Sequence, residues 1–169
     1  MRMNKCTVVA AVCLISLSTV LAAKDLKVGV VDVEKVYAAY EKAKASAAEI
    51  QTERKSKQDE LAKKREELKA LREDYDKRKD KMTEAEKKEM EKKIADKSRE
   101  ILAFTNVSNQ ELQKKNQELT RARLDEIAKV IQDYATKNKY DLIIDKKSLP
   151  YFSSAYNVSD DIIKALNAK

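Results

Sequence analysis

Two carboxylates stand where chemistry is conceivable. Asp32 lies near the end of the β-rich run Lys27–Val33, and Asp145 ends a second such run, Tyr140–Asp145. Paired carboxylates can perform general acid–base work. No second acid, metal ligand or oxyanion loop accompanies them. Capping of the following helix by Asp32 and a strand-end role for Asp145 account for both. The chain contains no histidine, and its two cysteines, Cys6 and Cys13, fall in the N-terminal segment. That removes most nucleophile–base pairs and the usual zinc ligand sets. A lone glycine, Gly29, cannot form a loop that cradles phosphates. The sequence therefore points away from an enzyme and implies no cofactor and no metal. Asn106-Val107-Ser108 and Asn157-Val158-Ser159 match the glycosylation pattern, which short chance matches also do.

The remaining chemistry is that of binding. Lys77, Arg78, Lys79, Lys81, Lys87 and Lys88 cluster within a dozen positions. They could attract an acidic partner, anionic lipid or lipopolysaccharide. Asp80, Glu84, Glu86, Glu89 and Glu91 lie among them, so a solvated face is an equal reading. Leu71, Tyr75, Met82, Met90 and Ile94 are candidate apolar contacts for a partner, and methionine suits promiscuous surfaces. Their alternative role is to pack one helix on another. The net charge of +7 is spread thinly: Glu41–Met82 has 14 basic and 11 acidic residues, Thr83–Tyr140 has 13 and 11. A nucleic-acid binder would concentrate its basic residues, so nucleic acid is not an expected partner.

Long helices must position these groups. Between Gly29 and Pro150, the single glycine and single proline, 120 residues contain neither. Lys, Glu, Ala, Gln and Arg dominate there, all good helix formers. Leu61, Leu68, Leu71, Tyr75 and Met82 form a heptad-like seam, with Lys64 and Arg78 intruding. Ile94, Ile101, Phe104, Leu112 and Leu119 form a second seam, and Leu124, Ile127, Ile131 and Tyr134 follow in another phase. A break is expected at Lys77–Met82, where Thr83 and Glu86 then form a capping box. The segment would fold as a hairpin with arms of ~60 Å. Large apolar residues number 14 of the 80 from Glu41 to Thr120, enough for one thin seam. Such arms should be firm at the base and loose at the tip.

The ends of the chain differ. Val28, Val30, Val31 and Val33 suit a strand covered on both faces, with Gly29 permitting close approach of a neighbouring backbone. Leu142, Ile143 and Ile144 suit a second strand, and Leu149–Ser154 a third or an edge. Ser159-Asp160-Asp161 would cap a short final helix carrying Ile162, Ile163 and Leu166. Tyrosines flank this region. So small a sheet is weak alone, and joining strands from several subunits would stabilise it. Residues 1–23 read as a cleaved export signal: Arg2 and Lys5 precede the apolar Thr7–Leu21 stretch, with cleavage before Ala23 or Lys24.

Both ends resemble the Skp/OmpH family of periplasmic chaperones. The resemblance is carried by Lys27-Val28-Gly29-Val30-Val31-Asp32-Val33-Glu34-Lys35-Val36-Tyr37, by Tyr140–Asp145 and by Tyr156–Leu166. The middle has only generic coiled-coil composition, and its tip lacks the small turn residues common in that family. The resemblance implies a homotrimer whose central β body is built from Val28, Val30, Val31, Val33, Leu142, Ile143 and Ile144. It implies a periplasmic, ATP-independent holdase that keeps unfolded outer-membrane proteins between its arms. Leu71, Tyr75, Met82, Met90 and Ile94 would then be client contacts. The expected fold is α+β, mostly α: residues 24–40 and 120–169 form the body, 41–119 the arm, with its tip near 77–83. The competing reading is an exported structural coiled-coil or adaptor protein without chaperone activity.

Overall fold

A computed structural model describes residues 25–168, so the expected export signal lies outside the described residues. Strand β1 (Val28–Val31) leads into helix α1 (Val33–Ala39), then α2 (Glu41–Arg78) and α3 (Glu84–Lys137). Strand β2 (Leu142–Asp145) and helix α4 (Ser159–Asn167) close the chain. At 1.5 Å per residue, α2 is about 57 Å long and α3 about 81 Å.

The two strands pair in parallel, with Val28 opposite Leu142 and Val31 opposite Asp145. A parallel pair needs a long crossover, which α1, α2 and α3 supply. On the other edge of β1, Val30 bridges Asn157, and the Val158 N–H donates to the Val30 carbonyl at 2.9 Å. Two expectations at this point need correction. Val33 is the first residue of α1 rather than a strand residue, because Asp32 accepts from the Lys35 N–H and starts the helix there. Leu149–Ser154 forms no strand. A 3₁₀ turn at Lys146–Ser148 and another at Ser154–Tyr156 take up the chain instead.

Gly29 does permit a close approach, but by a side chain. A Cβ there would lie 3.2 Å from Tyr140 Cε1 and 3.3 Å from Ile143 Cγ1. The Tyr140 ring stacks on Tyr134 at 5.8 Å and holds the Lys27 ammonium 4.3 Å from its centre. Ser159 is fully buried and does not cap α4. Its hydroxyl accepts from the Asp32 N–H at 2.8 Å, while Asn157 Oδ1 accepts from the Ser159 N–H.

The core gathers Val31, Val36, Tyr40, Ala43, Ile127, Val130, Val158, Ile162 and Leu166. Strand β1 and helices α1, α2, α3 and α4 contribute to it, and β2 packs half-buried Ile143 against it. The phase change after Leu119 is thus a change of packing partner along one continuous helix, not a chain break. Between α1 and α2 the helical pattern does break, at Tyr40, whose backbone is extended. Asn167 of α4 serves both sides of that break. Its Nδ2 donates to the Ala39 carbonyl at 3.0 Å and its Oδ1 accepts from the Glu41 N–H at 3.1 Å. One orphaned group at each of the two helix ends is satisfied by this one side chain.

Candidate functional site

Helices α2 and α3 run antiparallel, held by a ladder of ion pairs and hydrogen bonds. Nearest the core, Lys115 meets Glu49 at 2.8 Å and Glu53 at 2.6 Å. Lys57–Glu111 (2.9 Å), Lys64–Glu100 (2.7 Å) and Glu67–Lys97 (2.6 Å) follow outward. Tyr75 then donates to Glu91 at 2.5 Å. The hydrogen bonds that Lys115 donates to Glu49 and Glu53 raise its ammonium above the ordinary lysine range. Lys64, an intruder in the apolar seam, has its charge met by Glu100 and sits 5.2 Å from the centre of the Phe104 ring. The other intruder, Arg78, turns to Asp74 at 2.9 Å.

The distal turn works without glycine. Helix α2 ends at Arg78, one 3₁₀ turn spans Lys79–Lys81, and Met82 is extended. Thr83 accepts from the Glu86 N–H at 3.3 Å, and Glu86 accepts from the Thr83 N–H at 2.7 Å. This capping box satisfies two orphan donors. The turn keeps every φ negative, so no left-handed residue is demanded.

Leu71, Tyr75, Met82, Met90 and Ile94 are all half-buried, none of them displayed outright. The basic cluster is partly neutralised locally: Lys79 pairs with Asp76 at 3.3 Å and Lys87 with Glu84 at 2.8 Å. Among the described residues no ion pair engages Lys77, Lys81 or Lys88, and all three are exposed. The fully displayed apolar residues of α3 are others: Leu102, Val107 and Leu124. The two seams did not contain Leu102 or Val107. Their signal was being apolar at positions out of phase with Ile101, Phe104 and Leu112.

Among the residues expected to form the β body, Val30 and Val31 are buried, while Val28, Val33, Ile143 and Ile144 are half-buried. Leu142 is 51% exposed. Val33, Tyr37, Thr120 and Leu124 line an apolar groove of about 370 Å³, with Glu34, Asp145 and Lys147 at its margin. The paired carboxylates have structural duties. Lys146 donates to Asp32 at 2.9 Å, and that bond, with the one from the Lys35 N–H, holds the Asp32 carboxyl below its usual range. Asp145 accepts from the Lys147 N–H at 3.2 Å. One glycosylation-like motif is likewise spent on packing, since Asn157 and Ser159 build the start of α4.

A family model described as outer membrane protein (OmpH-like) matches residues 27–166. The chain belongs to the OmpH-like family. The match covers both strands, both long helices and nearly all of α4, so the resemblance of the two ends extends over the middle. No curated protein matches the chain. A crystal structure from Caulobacter crescentus CB15, described as a candidate outer membrane chaperone (OmpH-like), is similar to this OmpH-like chain. The two share 17% identity over 85% of each chain, with a TM-score of 0.80. At that identity the likeness speaks for the fold.

Proposed function

We propose that this OmpH-like protein is an ATP-independent periplasmic holdase that keeps unfolded outer-membrane proteins from aggregating. The observation that carries the reading is the long α2–α3 pair within a chain of this family. Its helices extend far beyond the core, and of its large apolar residues between the base and the tip only Ile50 and Leu112 are buried. Such a pair makes poor scaffolding for itself and an extended surface for a partner. Family membership and the description of the Caulobacter relative point the same way.

The holding state is a homotrimer with three arms around a common space. Two parallel strands make a weak sheet. Leu124, exposed in the Val33–Tyr37 groove, and Leu142, exposed at the start of β2, would be covered by neighbouring subunits. Leu71, Tyr75, Met82, Met90 and Ile94 would reach clients only as the distal seam loosens. Release without nucleotide then rests on contacts that are individually weak and exchange quickly, with a better acceptor downstream.

The test is dilution of a urea-unfolded β-barrel outer-membrane protein into buffer with increasing amounts of this protein. Light scattering should fall to baseline near one trimer per client, and the mass of the complex should match that ratio. Scattering that is unchanged across the titration would refute the holdase reading.

A further inference from the structure

Five hydroxyls on the two long helices are satisfied within their own helix. Ser46, Thr52, Ser98, Thr105 and Thr136 each donate to the carbonyl four residues earlier, at 2.8 to 2.9 Å. That is the ordinary way a mid-helix hydroxyl is satisfied. Ser108 does not do so. It is 6% exposed, and its Oγ has no hydrogen-bond partner among the described residues. A buried polar atom left so is costly.

Ser108 lines a groove of about 480 Å³ between α2 and α3. Half-buried Leu61 and Phe104 and buried Leu112 supply its apolar part. Exposed Gln58, Asn109, Gln113 and Asn116 supply primary amides. Arg54 and Lys57 also line it; the charge of Lys57 is met by Glu111 at 2.9 Å, and its ammonium lies 5.7 Å from the centre of the Phe104 ring.

The amide character continues along α3. Asn106, Asn109, Gln113, Gln117 and Thr120 recur at spacings of three and four, so they share one side of the helix. Exposed Leu102 and Leu124 bound this stripe. The chain is 38% charged, yet none of the stripe positions 102, 106, 109, 113, 117, 120 and 124 carries a charge, while Glu111, Lys114, Lys115, Glu118, Arg121 and Arg123 lie between them on other sides of the helix. A stripe without charge offers nothing to an ionic ligand. Each primary amide offers both donors and an acceptor, the complement of a peptide group.

We propose that this groove binds the main chain of an extended, uncharged polypeptide segment. Peptide groups of the segment exchange hydrogen bonds with Asn109, Gln113 and Asn116, and Ser108 Oγ serves as a further partner. A side chain of the segment rests on Phe104 and Leu112. Membrane β-strands alternate apolar with polar residues, and their uncharged stretches are suitable occupants. The inference rests on the holdase reading for its biological client and adds the site and the chemistry of contact.

The probe is a capped, labelled, uncharged peptide of about ten residues, the length of a barrel strand, followed by fluorescence anisotropy with the intact protein. The double variant Asn109→Asp with Gln113→Glu, both exposed positions, should weaken binding about tenfold. Ser108→Ala should weaken it without lowering the melting temperature, since it removes an unsatisfied buried hydroxyl, and Asp59→Asn, outside the groove, should leave it alone. N-methylation of alternate peptide amides should weaken binding as the double variant does. Absence of binding, equal affinity in the double variant, or preference for a charged peptide overturns the proposal. The scattering assay runs in parallel with the same proteins. A double variant that binds peptide as before and still suppresses aggregation removes the groove and keeps the holdase. Groove-dependent peptide binding without suppression of aggregation keeps the groove and removes the holdase.

Discussion

The phenol of Tyr40 donates to the carboxylate of Glu126, joining residues 86 apart at the break between α1 and α2. Arg123 donates to the same carboxylate at 2.9 and 3.1 Å. The arm therefore leaves the core through a buried ring whose polar end is tied to α3. Tyr40→Phe keeps the ring and deletes the bond, and should lower unfolding free energy by about 1 kcal/mol. Tyr40→Ala also empties the core site and should cost about 3–5 kcal/mol. Urea unfolding measures both. Equal stability of Tyr40→Phe and the parent would show that the bond contributes nothing.

Alkaline pH should unlock the body. Burial, then the nearby Asp161, pushes the Tyr134 phenol up to about 12, and burial with Glu126 also raises Tyr40. A phenol with a raised folded pKa contributes stability below the unfolded value of about 10. That contribution is lost as pH climbs from there to about 12 for Tyr134. Phenolate absorbance should lag behind that of free tyrosine, and Tyr134→Phe should flatten the decline. A Tyr134→Phe protein with the parent's pH profile would contradict the assignment.

Lys139 is the one described non-glycine residue with positive φ, at 56°. It follows α3, where the Tyr140 N–H bonds to the Ala135 carbonyl at 2.9 Å and the Lys139 N–H to the Thr136 carbonyl at 3.3 Å. Glycine prefers this left-handed cap position. Lys139→Gly should stabilise the protein by about 0.5–1 kcal/mol, seen as a higher denaturation midpoint with unchanged slope. Destabilisation would mean that the lysine stem packs usefully.

Gly29→Ala places a methyl against Tyr140 and Ile143. The crowding should cost about 1–2 kcal/mol. Combining it with Tyr140→Ala should be less damaging than the sum of the two single changes, because the clash partner is gone. Strict additivity in a double-mutant cycle would rule out this contact as the reason for glycine.

Thr83→Ala removes half of the capping box and should cost the start of α3 about 1 kcal/mol. Amide exchange around Glu84–Lys88 should accelerate while core amides, set by global opening, hold their rates. Hydrogen bonds from Thr83 hold the Glu86 carboxyl below its usual range. The cap is therefore intact above the ordinary carboxylate pKa and weakens as pH falls through the depressed one. Uniform exchange changes along the chain would argue against a locally acting cap.

Legibility followed range. The Asp32 cap, the Thr83–Glu86 box, a helix break within Lys77–Met82 and the helical phases that carry Ile127 and Ile162 were readable, since each depends on neighbours within about one helical turn or on helical period. Val33 was misread because alternating valines look alike in a strand and in the first turn of a helix; only the Asp32–Lys35 bond separates them. The groove was invisible for a different reason. Its lining residues come from positions 54–61 and 104–116, which share no local pattern.

Residue order alone determined that this chain would be mostly long helix with a glycine-free turn and a small mixed body, because propensity, capping and periodicity act over a few residues. The tertiary structure decided which apolar side chains are spent and which are shown. Helical period marks a face but not the partner that covers it. The antiparallel register of α2 on α3 half-buries Leu71 and Ile94, leaves Leu102 and Leu124 in solvent, and places an unsatisfied Ser108 beside a row of amides.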